Sequence, residues 1–244
     1  VHTLPLPFQK LVFTGITVLL LLLSGCASTN NPRDPLEPIN RVVYQFNDGL
    51  DRALIKPMAT VYKSVLPQFM RTGVNNFFGN LYDILTALNN MLQGKFAEGL
   101  SDTGRVLVNS TIGVAGLFDV GTEIGLEKHE EDFGQTLGRW GLADGPYVQI
   151  PLLGPSSFRD GAGLFVDVQL DPVGWLWRND IPTRNSLWGL FIVNLRANLL
   201  DSTKLLDEAA LDPYEFQREA YLQRRRYLVY DGNPPPEKDP DDIR

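Results

Sequence analysis

Helical periodicity runs through the middle of the chain. Ile39, Val42, Val43, Phe46 and Leu50 recur at i, i+3, i+4, i+7 and i+11, which predicts an amphipathic helix. Val74, Phe77, Phe78, Leu81, Leu85, Leu88 and Leu92 keep the same rhythm, while Asn75, Asn76, Asn80, Asn89 and Asn90 give that segment an uncharged polarity. Phe96, Leu100 and Leu107 mark a further helix after a break at Gly94. Residues 186–206 and 213–230 also read as helices, the second with Asp212 as cap and Pro213 at its first position. Any one stripe, taken alone, fits the core face of a bundle as readily as a membrane surface.

Two segments break the pattern. Residues 106–126 are strongly apolar, yet Gly113, Gly116, Gly121 and Gly125 each cost a helix interior about 1 kcal/mol relative to Ala, so this run should bend or break. Residues 141–155 (GLADGPYVQIPLLGP) are punctuated by Gly and Pro around an apolar stretch without helical period, which predicts a hairpin-like loop. Trp175, Trp177 and Trp188 stand near Phe165 and Phe191 in a region with few charges. Their amphipathic rings suit a membrane interface, and a protein core would take them as well.

The N-terminal 25 residues read as a secretion signal, with Lys10 before the apolar run Leu11 to Leu23. As a helix that run rises only about 20 Å, short of a hydrocarbon core of about 30 Å. Leu23, Ser24, Gly25 and Cys26 form a bacterial lipobox, which makes Cys26 the expected lipidation site. Two acyl chains on its sulfur would anchor the mature protein for good. Ala27, where Asp would signal inner-membrane retention, points to the outer membrane. Residues 26–36 then read as a lipidated tether, 37–231 as one helical domain, and 232–244 (GNPPPEKDPDDIR) as a disordered acidic tail.

Composition narrows the chemistry. One Cys and two His among 244 residues leave no structural zinc site or disulfide framework. A net charge of −7 opposes nucleic-acid binding. His129, in LEKHEEDFG, reads as part of a solvated charge cluster, and Glu130, Glu131 and Asp132 would point to different sides of a helix instead of sharing a metal. No nucleophile elbow, phosphate loop or dinucleotide fingerprint occurs. The expectation is a protein with no enzymatic activity, cofactor or metal. A structural periplasmic lipoprotein, and an envelope hydrolase using two carboxylates brought together in space, are the alternatives.

Several blocks, in order, resemble the MlaA (VacJ) family of outer-membrane lipoproteins from the Mla phospholipid-trafficking system. They are the lipobox at Cys26; DPLEPINR (34–41) with YQFN (44–47); VNNFFGNL (74–81); NSTIGVAGLFDV (109–120); FGQTLGRWGLADGPYVQIPLLGPSSFRD (133–160); RANLLDS (196–202); and DPYEFQREAYLQRR (212–225). Pro38 departs from the Gly often found in the opening motif.

The resemblance implies a mainly α, single-domain ring of amphipathic helices around a central channel. It would lie on the periplasmic side of the outer membrane, lipid-anchored, beside a trimeric porin. It would remove phospholipids mislocalised to the outer leaflet and pass them to a periplasmic carrier, maintaining lipid asymmetry without chemistry. On that footing Asn75, Asn76, Asn80, Asn109 and Ser110 are the expected headgroup-facing groups, with helix packing as their other use. Gly141, Gly145 and Pro146 would hinge a gate. Asp34, Glu37, Asn40 and Arg41 should cap and fasten the first helix.

Overall fold

The computed structural model describes residues 34–236. The signal, Cys26 and most of the acidic tail lie outside the described residues. Helix α1 (Glu37–Leu50) passes through a π-helical turn (Asp51–Ile55) into α2 (Lys56–Val65) without a loop. Pro57 explains that turn: its ring lacks an N–H and would crowd a regular α-helical carbonyl one turn back, and a wider turn relieves both. Arg196 closes a bidentate pair on Asp51, at 2.8 Å for each bond, and so ties the π-turn to a later helix.

Helix α3 (Gln68–Leu92) pairs extensively with α4 (Phe96–Thr111) across a tight turn at Gly94. As the glycine pattern predicts, the apolar run breaks after Thr111, where Val114, Ala115 and Gly116 all take positive φ. A short helix α5 (Val120–Glu123) follows, then a segment without regular secondary structure, then α6 (Phe133–Arg139). Strands β1 (Tyr147–Ile150) and β2 (Gly154–Ser157) form the expected hairpin, pairing Tyr147 with Ser157 and Ile150 with Gly154. Helices α7 (Phe158–Gln169), α8 (Pro172–Leu176), α9 (Ile181–Ala209) and α10 (Pro213–Val229) complete the domain. Side chains of Asp119, Asp132, Ser157, Asp171 and Asp212 accept backbone N–H bonds at the starts of α5, α6, α7, α8 and α10.

The apolar core is small. Phe78, Leu81 and Val173 are buried at its centre, with Phe77, Trp177 and Phe191 packed around them. Most other buried side chains are polar or charged. Large apolar residues point outward instead: Val42 and Phe46 on α1, Leu100 and Leu107 on α4, Phe165 on α7, and Leu195 and Leu199 on α9. The helical stripes are real, but several face away from the core. Among the described residues no helix is long and apolar enough to cross a membrane.

Candidate functional site

Three buried polar clusters fill the interior. In the first, Arg105 on α4 is 1% exposed and its guanidinium is satisfied on every side. It donates to Thr122 Oγ1 (2.9 Å), the Leu126 carbonyl (2.7 Å) and Asp119 Oδ1 (2.8 Å), and lies 3.5 Å from Asp83. Burial works against the Asp119 charge, yet bonds from Thr122, Arg105 and Asn109 outweigh it and hold the carboxyl at about 2. Burial raises Asp83 in spite of Lys128 and Arg105 beside it. Next to this group Asp102, fully buried, accepts from Asn90 (2.8 Å) and meets His129 Nδ1 at 3.1 Å.

The second cluster centres on Arg225 of α10, which bonds both oxygens of Asp160 (2.9 Å each) and Asp132 (2.9 Å); Tyr221 also donates to Asp160 Oδ2 (2.6 Å). Desolvation opposes both carboxylates, but the guanidinium keeps each below the usual range. In the third, Asp34 is fully buried and accepts from Asn40 (2.8 Å), Tyr214 (2.5 Å) and Arg218 (3.1 Å). Asp34 thus packs into the body three residues ahead of α1. It fastens α1 as expected, though through distant residues, since the N-cap side chain at Leu36 makes no capping bond. The i, i+4 pair of Glu37 with Arg41 forms at 2.7 Å.

Between the first two clusters opens a cleft of about 290 Å³, with Asp83 and Thr86 of α3, Lys128, Glu131, Gln135 and Arg224 on its wall. The expectation for residues 127–132 is corrected here. They have no regular secondary structure, so Glu130, Glu131 and Asp132 share no helix, and the partly exposed His129 meets the buried Asp102 carboxylate. Charge runs are ordinarily solvated faces; here Lys95 (2.8 Å) and Gln93 (2.7 Å) draw Glu131 inward.

The residues singled out from sequence divide into groups. Asn80 donates to Ser110 Oγ (2.9 Å), Asn76 to the Leu117 carbonyl (3.1 Å) and Asn109 to Asp119 (3.1 Å), which together lock α3, α4 and α5. Asn75 lies on another side of α3, where it accepts from Asn194 (2.5 Å) and Asn198 (2.7 Å) of α9. None of the five lines the cleft. Its lining includes His129, Glu130, Glu131 and Asp132 of the charge run, while Asp83, Thr86, Gln135 and Arg224 carry no local sequence signal for a cleft. Gly141 and Gly145 have φ of +95° and +68°, and the Pro146 carbonyl accepts from Phe158 N (3.2 Å). Asp144 pairs with Arg159, so the loop is pinned at one end. Trp175 is 73% exposed, Trp177 packs on the core, and Trp188 donates to Asp171 (2.9 Å).

Comparison with known proteins gives this geometry a family. The MlaA lipoprotein family matches residues 32–228. Proteins described as the intermembrane phospholipid transport system lipoprotein MlaA are 36% identical over 241 residues in Shigella flexneri and in Escherichia coli K12, covering 95% of this chain and 94% of each relative. The Haemophilus influenzae protein of that description is 30% identical over 244 residues, covering 94% of this chain and 96% of its own. A solved structure, described as a structural basis for maintenance of bacterial outer membrane lipid asymmetry, superposes with a TM-score of 0.70 at 34% identity, over 80% of this chain and 98% of the other. These relatives are described as lipoproteins of a transport system. A mainly α domain that buries charge and exposes apolar helix faces thus has its counterpart in solved form, and the chain belongs to the MlaA lipoprotein family.

Proposed function

We propose that this chain lies in one leaflet of the outer membrane, with its apolar helix faces in lipid, and passes phospholipid headgroups along its polar interior. The observation that carries this reading is the inverted placement of residues: Arg105, Asp102 and Asp83 are buried while Leu100, Leu107, Phe165 and Trp175 are exposed. An exterior of that kind is unfavourable in water and favourable in hydrocarbon. A charged headgroup crossing hydrocarbon alone loses its hydration at a cost of many kcal/mol, and a polar wall removes that cost without bond chemistry.

The relatives' description as intermembrane phospholipid transport lipoproteins supports phospholipid as the cargo. In this reading, lipid mislocalised to the outer leaflet enters beside a trimeric porin and leaves for a periplasmic carrier. A diacylated Cys26 holds the body at the periplasmic face, and exposed Trp175 settles at the lipid–water boundary. Asn75 belongs to the polar wall, while Asn76, Asn80, Asn109 and Ser110 brace the helices behind it. The loop around Gly141, Gly145 and Pro146 moves as a gate about its pinned end.

Deleting the gene in its host should raise outer-leaflet phospholipid, and restoring the wild-type chain should lower it again. Restoring Cys26→Ala at equal abundance should leave it raised. Unchanged outer-leaflet lipid on deletion would remove the proposal.

A further inference from the structure

The cleft beside α3 carries partly exposed cations and buried acceptors on one wall. At its mouth stand two partly exposed cations: Lys128, 40% exposed and paired with the buried Asp83 carboxylate, and Arg224, 68% exposed. Among the described residues Arg224 pairs with Glu130, itself 67% exposed, at 2.9 Å. So exposed a pair is weakly held, and a phosphate oxygen can take the place of Glu130. Deeper stand two buried carboxylates already held by cations, Asp83 by Lys128 and Arg105 and Glu131 by Lys95, and beside them the side chain of Gln135. Gln135 is 3% exposed; its Nε2 donates to the Glu130 carbonyl (3.1 Å), whereas its Oε1 is a buried acceptor with no donor among the described residues. A buried acceptor without a donor is unfavourable until a ligand supplies one.

We propose that this cleft is a station for a zwitterionic headgroup bearing a primary ammonium, a phosphoethanolamine. The proposal rests on the phospholipid-conduit reading and specifies its cargo. The ammonium is the outermost group of such a lipid, so it enters first and reaches Gln135 Oε1. The phosphate, nearer the glycerol, stays at the mouth with Lys128 and Arg224. At about 290 Å³ the cleft stands at the lower end of the range for ligand sites and holds a headgroup while the acyl chains remain outside. A trimethylammonium group has the charge but no N–H, and leaves Gln135 Oε1 unpaired. A phosphoglycerol group offers Gln135 Oε1 only a neutral hydroxyl, a weaker donor than a charged ammonium. Sites built to hydrogen-bond a donor reject analogues that lack it more strongly than apolar pockets reject a missing methylene.

The test uses the full chain purified in detergent. Binding of short-chain phosphatidylethanolamine, phosphatidylcholine and phosphatidylglycerol with identical acyl chains is measured by titration, alongside soluble O-phosphoethanolamine. The ethanolamine lipid should bind about five- to tenfold more tightly than the other two, the worth of one hydrogen bond to a buried acceptor. Gln135→Met should erase the preference over choline, and Lys128→Gln should weaken all three lipids together. The wild-type comparison needs no variant, so a misfolded Gln135→Met would not rescue a failed prediction. Equal binding of the three lipids would overturn the headgroup assignment and leave the conduit standing; no binding of any phospholipid would remove the conduit as well. Soluble O-phosphoethanolamine binding as tightly as the lipid would make the cleft a site for a free metabolite and overturn the proposal.

Discussion

The side chain of Asn40 clasps strand β1 at Tyr147 as a neighbouring strand would. Its Nδ2 donates to the Tyr147 carbonyl (3.1 Å) and its Oδ1 accepts from the Gln149 amide (2.8 Å), so one amide occupies the open edge of a two-stranded sheet. The same Nδ2 reaches Asp34 at 2.8 Å. One buried residue thus joins the entry of α1, the hairpin and, through Asp34, helix α10. A two-stranded hairpin is marginal on its own, and this clasp supplies what a third strand would.

Asn40→Ala should leave a backbone acceptor, a backbone donor and the Asp34 carboxylate short of partners in a buried site. The expected loss is about 2–4 kcal/mol. Denaturant unfolding in detergent would read the loss, and amide exchange at residues 147–150 should quicken first. An unfolding free energy within about 0.5 kcal/mol of wild type, as for an ordinary surface change, would refute the clasp.

Asp167 carries a charge that the fold disfavours. Burial raises its pKa to about 6, and the Asp132 carboxylate pushes the same way against the Phe133 amide, which donates at 3.2 Å. A folded value above the unfolded one means that the stabilising contribution is complete below about pH 4 and is lost as pH rises through about 6. Asp167→Asn keeps an acceptor for Phe133 and has no charge to desolvate. It should be more stable than wild type at pH 7.5 by about 1–2 kcal/mol, reduced from the full linkage value because the site is partly exposed, and should match wild type near pH 4. Melting curves of both proteins across that range give the difference directly; a gain equally large at pH 4 would show that the charge is not its source.

Helices α6 and α7 meet where neither has a side chain. A methyl group built on Gly163 would come within 2.3 Å of the Gly134 amide nitrogen and 2.6 Å of its Cα, both backbone atoms that cannot rotate away. Gly163→Ala should force the helices apart at a cost of about 3 kcal/mol or more, beyond the usual range for a misplaced methyl in a packed interior. Arg225 would then lose its simultaneous grip on Asp132 and Asp160, which come from these two segments. Normal thermal stability in the variant would contradict the close approach.

The sequence shows which helices form more clearly than it shows which way they face. Val42 with Phe46, and Leu100 with Leu107, recur at the helical period whether their stripe meets a core or a lipid tail, because periodicity measures asymmetry and has no sign. Asp212 before Pro213 announced α10, and the Gly and Pro punctuation announced the hairpin, since both are local effects. Helix α9 starts at Ile181, five residues ahead of the periodic segment, because Asp180 accepts from the Thr183 amide (3.2 Å) and Pro182 fits a first turn. The cleft depends on relations that no local signal carries. Asp83 finds Arg105 across a helix pair and Asp132 finds Arg225 over 93 positions, so Glu131, within a run of acids that reads as solvated, turns inward while Glu130 stays exposed.

The exposed face of α4 separates a lipid-facing surface from a surface in water. Leu100 and Leu107 are 65% and 62% exposed, while Arg105 on the same helix is buried. Replacing both leucines by Lys removes no buried contact, so unfolding measured in a detergent that lets the new charges reach water should shift by no more than about 0.5 kcal/mol per site. In a bilayer the same change places two ammonium groups against acyl chains, and the penalty should reach about 2–4 kcal/mol for each at full depth, falling toward zero at the interface. Leu100→Lys with Leu107→Lys should therefore move the protein, expressed without its lipid anchor, from the vesicle pellet to the supernatant in flotation assays. The paired control Leu100→Ile with Leu107→Ile should stay with the vesicles. If the lysine variant partitions like wild type, α4 faces water and the apolar exterior needs another partner.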